Sequence, residues 1–219
     1  MGDRLLMDDY IKDPARIEKE SMKIIEDLLK HKTLPETQAS IIKRVIHTTA
    51  DLEFAEITEI STGALENAGK VIQAGDCRLS VDTRMIAAGI NQSLIQRTGG
   101  SVDCFVDTDE AEKISKEKEI TRSMANIELC SEVNPTGIYA VGNAPTALFE
   151  ILRLAWEGML KPALIIGVPV GFVGAVESKE ELRKSGLPYI TTVGRKGGST
   201  VAVAIIHALW KMFAPEKEK

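Results

Sequence analysis

Three stretches of the C-terminal half follow one pattern: an apolar run, a tight loop built on Gly or Pro, then a helical pattern or a second turn. They are VGNAPTALFEILR (Val141–Arg153), KPALIIGVPVGFVGAVESK (Lys161–Lys179) and TTVGRKGGSTVAVA (Thr191–Ala204). A strand followed by a crossover helix feeds a parallel sheet, so this repetition constrains the fold more than any other feature. Each loop sets bare backbone N–H groups and a helix N-terminus at one edge of the sheet. That edge is where an α/β protein holds an anionic ligand. Three such loops in one domain point to one large polyanionic ligand.

Beyond Gly75 five short apolar runs read as strands: Arg78–Val81, Val102–Val106, Ile138–Val141, Ala163–Gly167 and Tyr189–Val193. Helical patterns separate most of them: Thr83–Gly89, Thr121–Ser131 and Pro145–Met159, with a last helix over Gly198–Phe213. On the third of these, Leu148, Ile151, Leu152, Ala155 and Met159 share a face. On the last, Ala202, Ile205, Ile206, Leu209 and Phe213 point inward. The alternation predicts a three-layer, doubly wound α/β fold with about five parallel strands, covered on both faces. Two helices precede it. Asp13 caps a first helix that starts at Pro14 and turns Ile17, Ile24, Ile25 and Leu28 to one face, with Ser21 among them. TLPE (Thr33–Glu36) has the spacing of a capping box, and the second helix behind it carries Ile41, Ile42, Val45 and Ile46.

The 219 residues suit a single domain, with a helical part at about 13–51 and an α/β core at about 75–213. With 44% apolar residues the chain has enough for a core, yet no run is long enough to span a membrane. The start, MGDRLLMDDY, is acidic where a signal peptide is basic, so the expected compartment is the cytoplasm. Three scattered cysteines, Cys77, Cys104 and Cys130, form no CxxC and read as buried thiols. A net charge of −5 without a basic stripe argues against nucleic acid. DTDEAEKISKEKE (Asp107–Glu119) reads as a solvated loop or exposed helix, and PEKEK (Pro215–Lys219) as a frayed tail. GxGxxG after a first strand, GxxxxGK[ST] and GxSxG are all missing, as is any metal-ligand spacing. The expectation is therefore no cofactor and no protein-bound metal.

Several side chains are candidates for chemistry. His47 stands on the polar side of the second helix beside Lys43, Arg44 and Asp51, and imidazole titrates near neutrality. By position alone it is a surface or structural histidine. Arg122 opens a helix, and its planar fork suits a carboxylate, although an arginine there is ordinarily solvated. Ser21 on an apolar face reads as tolerated packing. SVDTRMIAAGI (Ser80–Ile90) resembles a strand-to-helix turn of a known family, in which Asp82 would cap the helix that follows it and Thr83 and Arg84 would face a ligand. Asn143 in GNAPTA is placed as a cap. GRKGGST (Gly194–Thr200) is either a carboxylate cradle with Arg195 and Lys196 or a flexible turn with solvated charges. Lys179 pairs with Glu177, approaches the ligand, or is a plain surface lysine.

GNAPTALFE, GVPVGFV, ESK and GRKGGS, in this order and spacing, resemble the signature blocks of the precorrin-8X methylmutase family, from about Lys12 to Phe213. The resemblance implies a flavodoxin-like arrangement and a homodimer. It also implies an isomerase of cobalamin biosynthesis that moves a methyl group from ring carbon 11 to carbon 12 of a tetrapyrrole, precorrin-8X or cobalt-precorrin-8. RVIHTTAD (Arg44–Asp51) is similar to the family segment with the catalytic histidine, which maps onto His47. EITRSMA (Glu119–Ala125) is similar to a block with an active-site arginine, which maps onto Arg122, and the first-helix serine of the family maps onto Ser21. Thr83 and His207 depart from the pattern; many relatives have an apolar residue at the first and Asn at the second. Two rival readings are a non-catalytic corrinoid carrier and a flavodoxin-like nucleotide or phosphate binder.

Overall fold

The computed structural model describes residues 10–214; the readings made on PEKEK and on most of MGDRLLMDDY lie outside them. The helical N-terminal part is α1 (Pro14–Leu29), α2 (Glu36–Thr49) and the single turn α3 (Phe54–Ile57). Then come β1 (Thr58–Ile60), α4 (Ala64–Gln73), β2 (Arg78–Val81), α5 (Arg84–Gly89), α6 (Gln92–Gln96) and β3 (Ser101–Asp103). The rest is α7 (Asp109–Glu117), α8 (Arg122–Val133), β4 (Ile138–Val141), α9 (Pro145–Trp156), β5 (Leu164–Gly167), α10 (Ala175–Lys184), β6 (Tyr189–Thr192) and α11 (Ser199–Phe213).

The strands form one sheet in the order β1-β6-β5-β4-β2-β3. Five are parallel, as the alternation predicts. The sixth, β1, runs antiparallel to β6 and is not foreseen: Thr-Glu-Ile is too short and polar to stand out as a strand. Strand burial alternates between two cores. Ile138, Ala140, Leu164 and Ile166 face Ile205, Ile206 and Leu209 of α11. Tyr139, Val141 and Ile165 face Leu148, Ile151 and Leu154 of α9. Successive strand residues thus point to opposite layers, and both faces of the sheet are covered.

The chain enters the parallel sheet at β2, steps outward to β3, then returns to the other side of β2 as β4. The crossovers therefore diverge where β2 and β4 end. A doubly wound sheet of this order opens a crevice at such a reversal, outside the strands' carboxyl ends.

The N-terminal part departs from expectation in detail. Asp13 does cap α1, accepting from the Arg16 backbone N–H at 2.7 Å. The buried residues of α1 are Ile25 and Leu29, however, while Ile17, Ile24 and Leu28 are exposed. The apolar face has one edge on α2 and leaves the other uncovered. The capping box of Thr33 does not form, because α2 begins at Glu36 behind Pro35, so Glu36 is the first helical residue rather than the third. On α9 the buried stripe is Ala147, Leu148, Ile151 and Leu154; Met159 lies past the helix end, half exposed. Asp107–Glu119 is largely the exposed helix α7.

Candidate active site

Asp82 directly follows β2 and is fully buried. It does not cap the helix after it. Its carboxylate crosses to the loop behind β4 and accepts three consecutive backbone N–H groups, from Gly142 (3.1 Å), Asn143 (2.9 Å) and Ala144 (2.8 Å). Burial raises its pKa, and the three N–H donors oppose that rise. Capping of α5 falls to Thr83, whose hydroxyl accepts from the Ile86 N–H. The nest of N–H groups in GNAPTA is thus filled by the protein's own anion. Asn143 is not the cap of α9 either; that position is Ala144, with no side-chain bond.

With the nest closed, the side chains around it define a cleft of about 480 Å³ at the reversal point. Thr83, Arg84, Arg122, Asn143, Ser123 and Ser199 line it. Thr83 Oγ1 lies 3.4 Å from Ser199 Oγ, which joins the start of α5 to the start of α11. Arg84 stands 3.6 Å from Asp107. Arg122 is exposed and makes no ion pair among the described residues. The start of α11 has no side-chain cap and no acidic residue in its first turn, so its N–H groups add positive potential there. Gly142 makes this junction possible: a Cβ on it would lie 2.8 Å from Ser199 Cα and 2.9 Å from Ser199 N.

The cleft collects four of the sequence-read residues, Thr83, Arg84, Arg122 and Asn143. It does not include the others. Lys179 is neither a surface lysine nor a partner of Glu177. It is buried, and its ammonium donates to the Lys196 carbonyl (2.9 Å) and the Thr192 hydroxyl (3.3 Å). Desolvation pushes its pKa down to about 8. The Lys196 side chain turns to α2's far end, where Asp51 and Glu53 neutralise it. The GRKGGST turn is thus held by these ion pairs and by the Lys179 bond to the Lys196 carbonyl. Arg195 lies over the Phe172 ring, 5.9 Å from its centroid.

His47 is half-buried in the last turn of α2 and lines neither this cleft nor the one beside it. Asp51, read in sequence as sharing its helix face, lies past the end of α2, which closes at Thr49 with Ala50 in the left-handed region; the Lys196 ion pair therefore holds the segment just beyond the helix. Ser21 is half-buried on α1 beside the exposed Ile17 and Ile24. A second cavity, about 330 Å³, shares Met85 and Ser199 with the cleft and runs along α11 to Arg44, Thr48 and His207. The sequence reading passed over Ser123, Ser199 and Thr48; Ser199 sits inside GRKGGST, and only the reversal of strand order brings it against Thr83. Burial pushes the Cys77 and Cys130 thiols up to about 12, which leaves both inert.

The precorrin-8X methylmutase family model matches residues 16–212. The chain is 39% identical over 196 residues to a cobalt-precorrin-8 methylmutase of Priestia megaterium, covering 90% of this chain and 87% of that one. It is 40% identical over 207 residues to a cobalt-precorrin-8 methylmutase of Salmonella typhimurium, covering 91% and 96%. The fold superposes on the crystal structure of a precorrin-8X methyl mutase from Thermus thermophilus with a TM-score of 0.83 at 37% identity, over 90% of this chain and 97% of that one.

Proposed function

The chain belongs to the precorrin-8X methylmutase family, and from that premise we infer how its cleft works. It is an isomerase of cobalamin biosynthesis that moves a methyl group within its substrate. One observation carries the reading of the site: Arg84, Arg122, Asn143 and the uncapped start of α11 converge at the strand-order reversal. Two cations and several neutral donors suit a ring whose rim bears acetates and propionates. Guanidinium–carboxylate pairs fix orientation, and remote binding of this kind positions a reacting centre.

The shift itself needs no outside partner. The bond from the methyl group to ring carbon 11 breaks as its bond to carbon 12 forms, and the product has the substrate's formula. A proton lent to the conjugated system during the shift is returned afterwards. His47 is the group assigned to lend it, because imidazole exchanges a proton near neutral pH. The Lys196–Asp51 pair supports this role by holding the segment just beyond α2 beside the GRKGGST turn.

The exposed stripe Ile17, Ile24 and Leu28 supports a homodimer in which a second copy covers α1. That face also carries Ser21, so docking there would enclose Ser21. The names of the two curated relatives support the cobalt form as the natural substrate. A phosphate-binding role is disfavoured by Asp82, which occupies the N–H nest that a phosphate would need.

The test is a visible spectrum of the protein mixed with cobalt-precorrin-8, and separately with metal-free precorrin-8X, without S-adenosylmethionine. Conversion to the corrin chromophore is expected, faster with the cobalt form. Binding without conversion would replace the enzyme by a carrier. Indifference to both would overturn the reading.

A further inference from the structure

His207 lines the second cavity but has a defined job at only one ring nitrogen. Its Nε2 lies 2.9 Å from the Asn91 backbone N–H. A backbone N–H only donates, so Nε2 is the acceptor and the neutral ring carries its proton on Nδ1. That N–H has no acceptor among the described residues. Burial, Lys211 and Arg44 all lower the pKa, so the ring stays a neutral donor at pH 7.

The groups around it complete a polar wall. From α2, Arg44 faces the same cavity; one arm of its guanidinium holds Glu18 at 2.7 Å, and Lys211 of α11 reaches the same carboxylate at 3.3 Å. From α11 come Ser199 and Thr200 at the uncapped helix start, followed by Val203 and His207 at helical spacing. Met85 and Val203 supply the apolar part of the lining. The cavity borders the main cleft, with Met85 and Ser199 lining both. It is too small for a macrocycle and large enough for a side arm with bridging water.

We propose that this cavity is a second carboxylate subsite, which takes an acetate or propionate arm of the tetrapyrrole between His207 Nδ1–H and Arg44. The proposal rests on the functional reading above. It assigns His207 to ring-rim recognition and leaves the methyl shift to other groups. The arm's charge replaces none of the existing pairs, because Glu18 keeps its own two cations.

The two nitrogens of His207 can be tested apart. Glutamine places its amide near the Nε2 position, so His207→Gln keeps an acceptor for Asn91 and removes the donor in the cavity. Asparagine places its amide near Nδ1, so His207→Asn keeps the donor and gives up Asn91. With cobyrinic acid as probe, His207→Gln is expected to hold its melting temperature while Kd rises roughly tenfold or more. His207→Asn is expected to melt lower and to keep Kd within about threefold, since its donor survives. Val203→Phe fills the cavity without touching Asn91 and should match the Kd loss, with KM raised and kcat nearly unchanged. Wild-type Kd in both His207→Gln and Val203→Phe overturns the subsite while leaving the functional reading intact. Failure of the wild-type protein to bind cobyrinic acid removes the functional reading, and the subsite with it.

Discussion

The carboxylate of Asp82 accepts the backbone N–H of Ala144 at 2.8 Å, across the gap where β2 and β4 part. With the two bonds from Gly142 and Asn143, this makes the loop behind β4 a structure organised around an internal anion. Asp82→Ala leaves three buried or half-buried donors unpaired and should cost on the order of 3 kcal/mol in urea unfolding. Added formate or acetate should restore part of the melting temperature by entering the vacated nest. No response to either anion would mean that the loop has another support.

Arg122 has no ion-pair partner of its own among the described residues, so its loss should leave folding almost untouched. Arg122→Ala is expected to raise KM by about tenfold or more. Arg122→Lys should recover only part of that, because an ammonium cannot pair through two parallel bonds. Full recovery by lysine would reduce the role of Arg122 to a diffuse charge.

His47→Ala should keep tight binding of cobyrinic acid and lower turnover by roughly 10²–10⁴-fold, the usual span of general acid–base catalysis. Wild-type turnover would transfer the proton to another group.

Ile24 is 58% exposed on the uncovered edge of α1. Ile24→Glu should shift the particle from dimer to monomer in sedimentation, with turnover falling in step. A wild-type protein that sediments as a monomer at assay concentration would remove the second copy from the reading.

Lys179 releases its proton near pH 8 when folded and near 10.5 when unfolded. Between these values the unfolded chain binds more protons, so stability rises with pH. The cost of burying the charge is felt in full below pH 8 and is relieved by 10.5. Relative to Lys179→Met, the wild-type chain should therefore gain about 3 kcal/mol across that window, by urea unfolding at several pH values. The comparison cancels the opposite trend of Cys77 and Cys130, whose raised pKa values weaken folding as pH climbs toward 12.

The α/β core was legible because its signals are local. Strands β2 and β4 and helix α11 announce themselves through apolar runs and helical spacing within a few residues. Edge strand β1 was not, since Thr58–Ile60 owes its conformation to pairing with β6 and not to its own residues. The site divided along the same line. Thr83, Arg84, Arg122 and Asn143 lie immediately after strands or at helix starts, and the strand order gathers them. The capping role read for Asp82 and the surface position read for Lys179 failed because their partners are remote, and the ion pairs of Lys196 lie equally far along the chain. Asp82 reaches 60 residues ahead to Gly142, and the Lys196 ammonium reaches back to Asp51. A charged residue near a ligand loop looks the same in sequence whether it points at the ligand or braces the loop.

The depth of Lys179 has a chemical consequence. At neutral pH a lysine with a depressed pKa offers a larger fraction of free amine than its surface counterparts. This amine is thus sealed from the electrophiles that acylate or glycate exposed lysines. Those reagents reach it only when the GRKGGST turn lifts off Thr192 and the Lys196 carbonyl is released. Adduct formation at Lys179 is therefore a clock for that opening, and the closed turn protects its own brace from chemical damage.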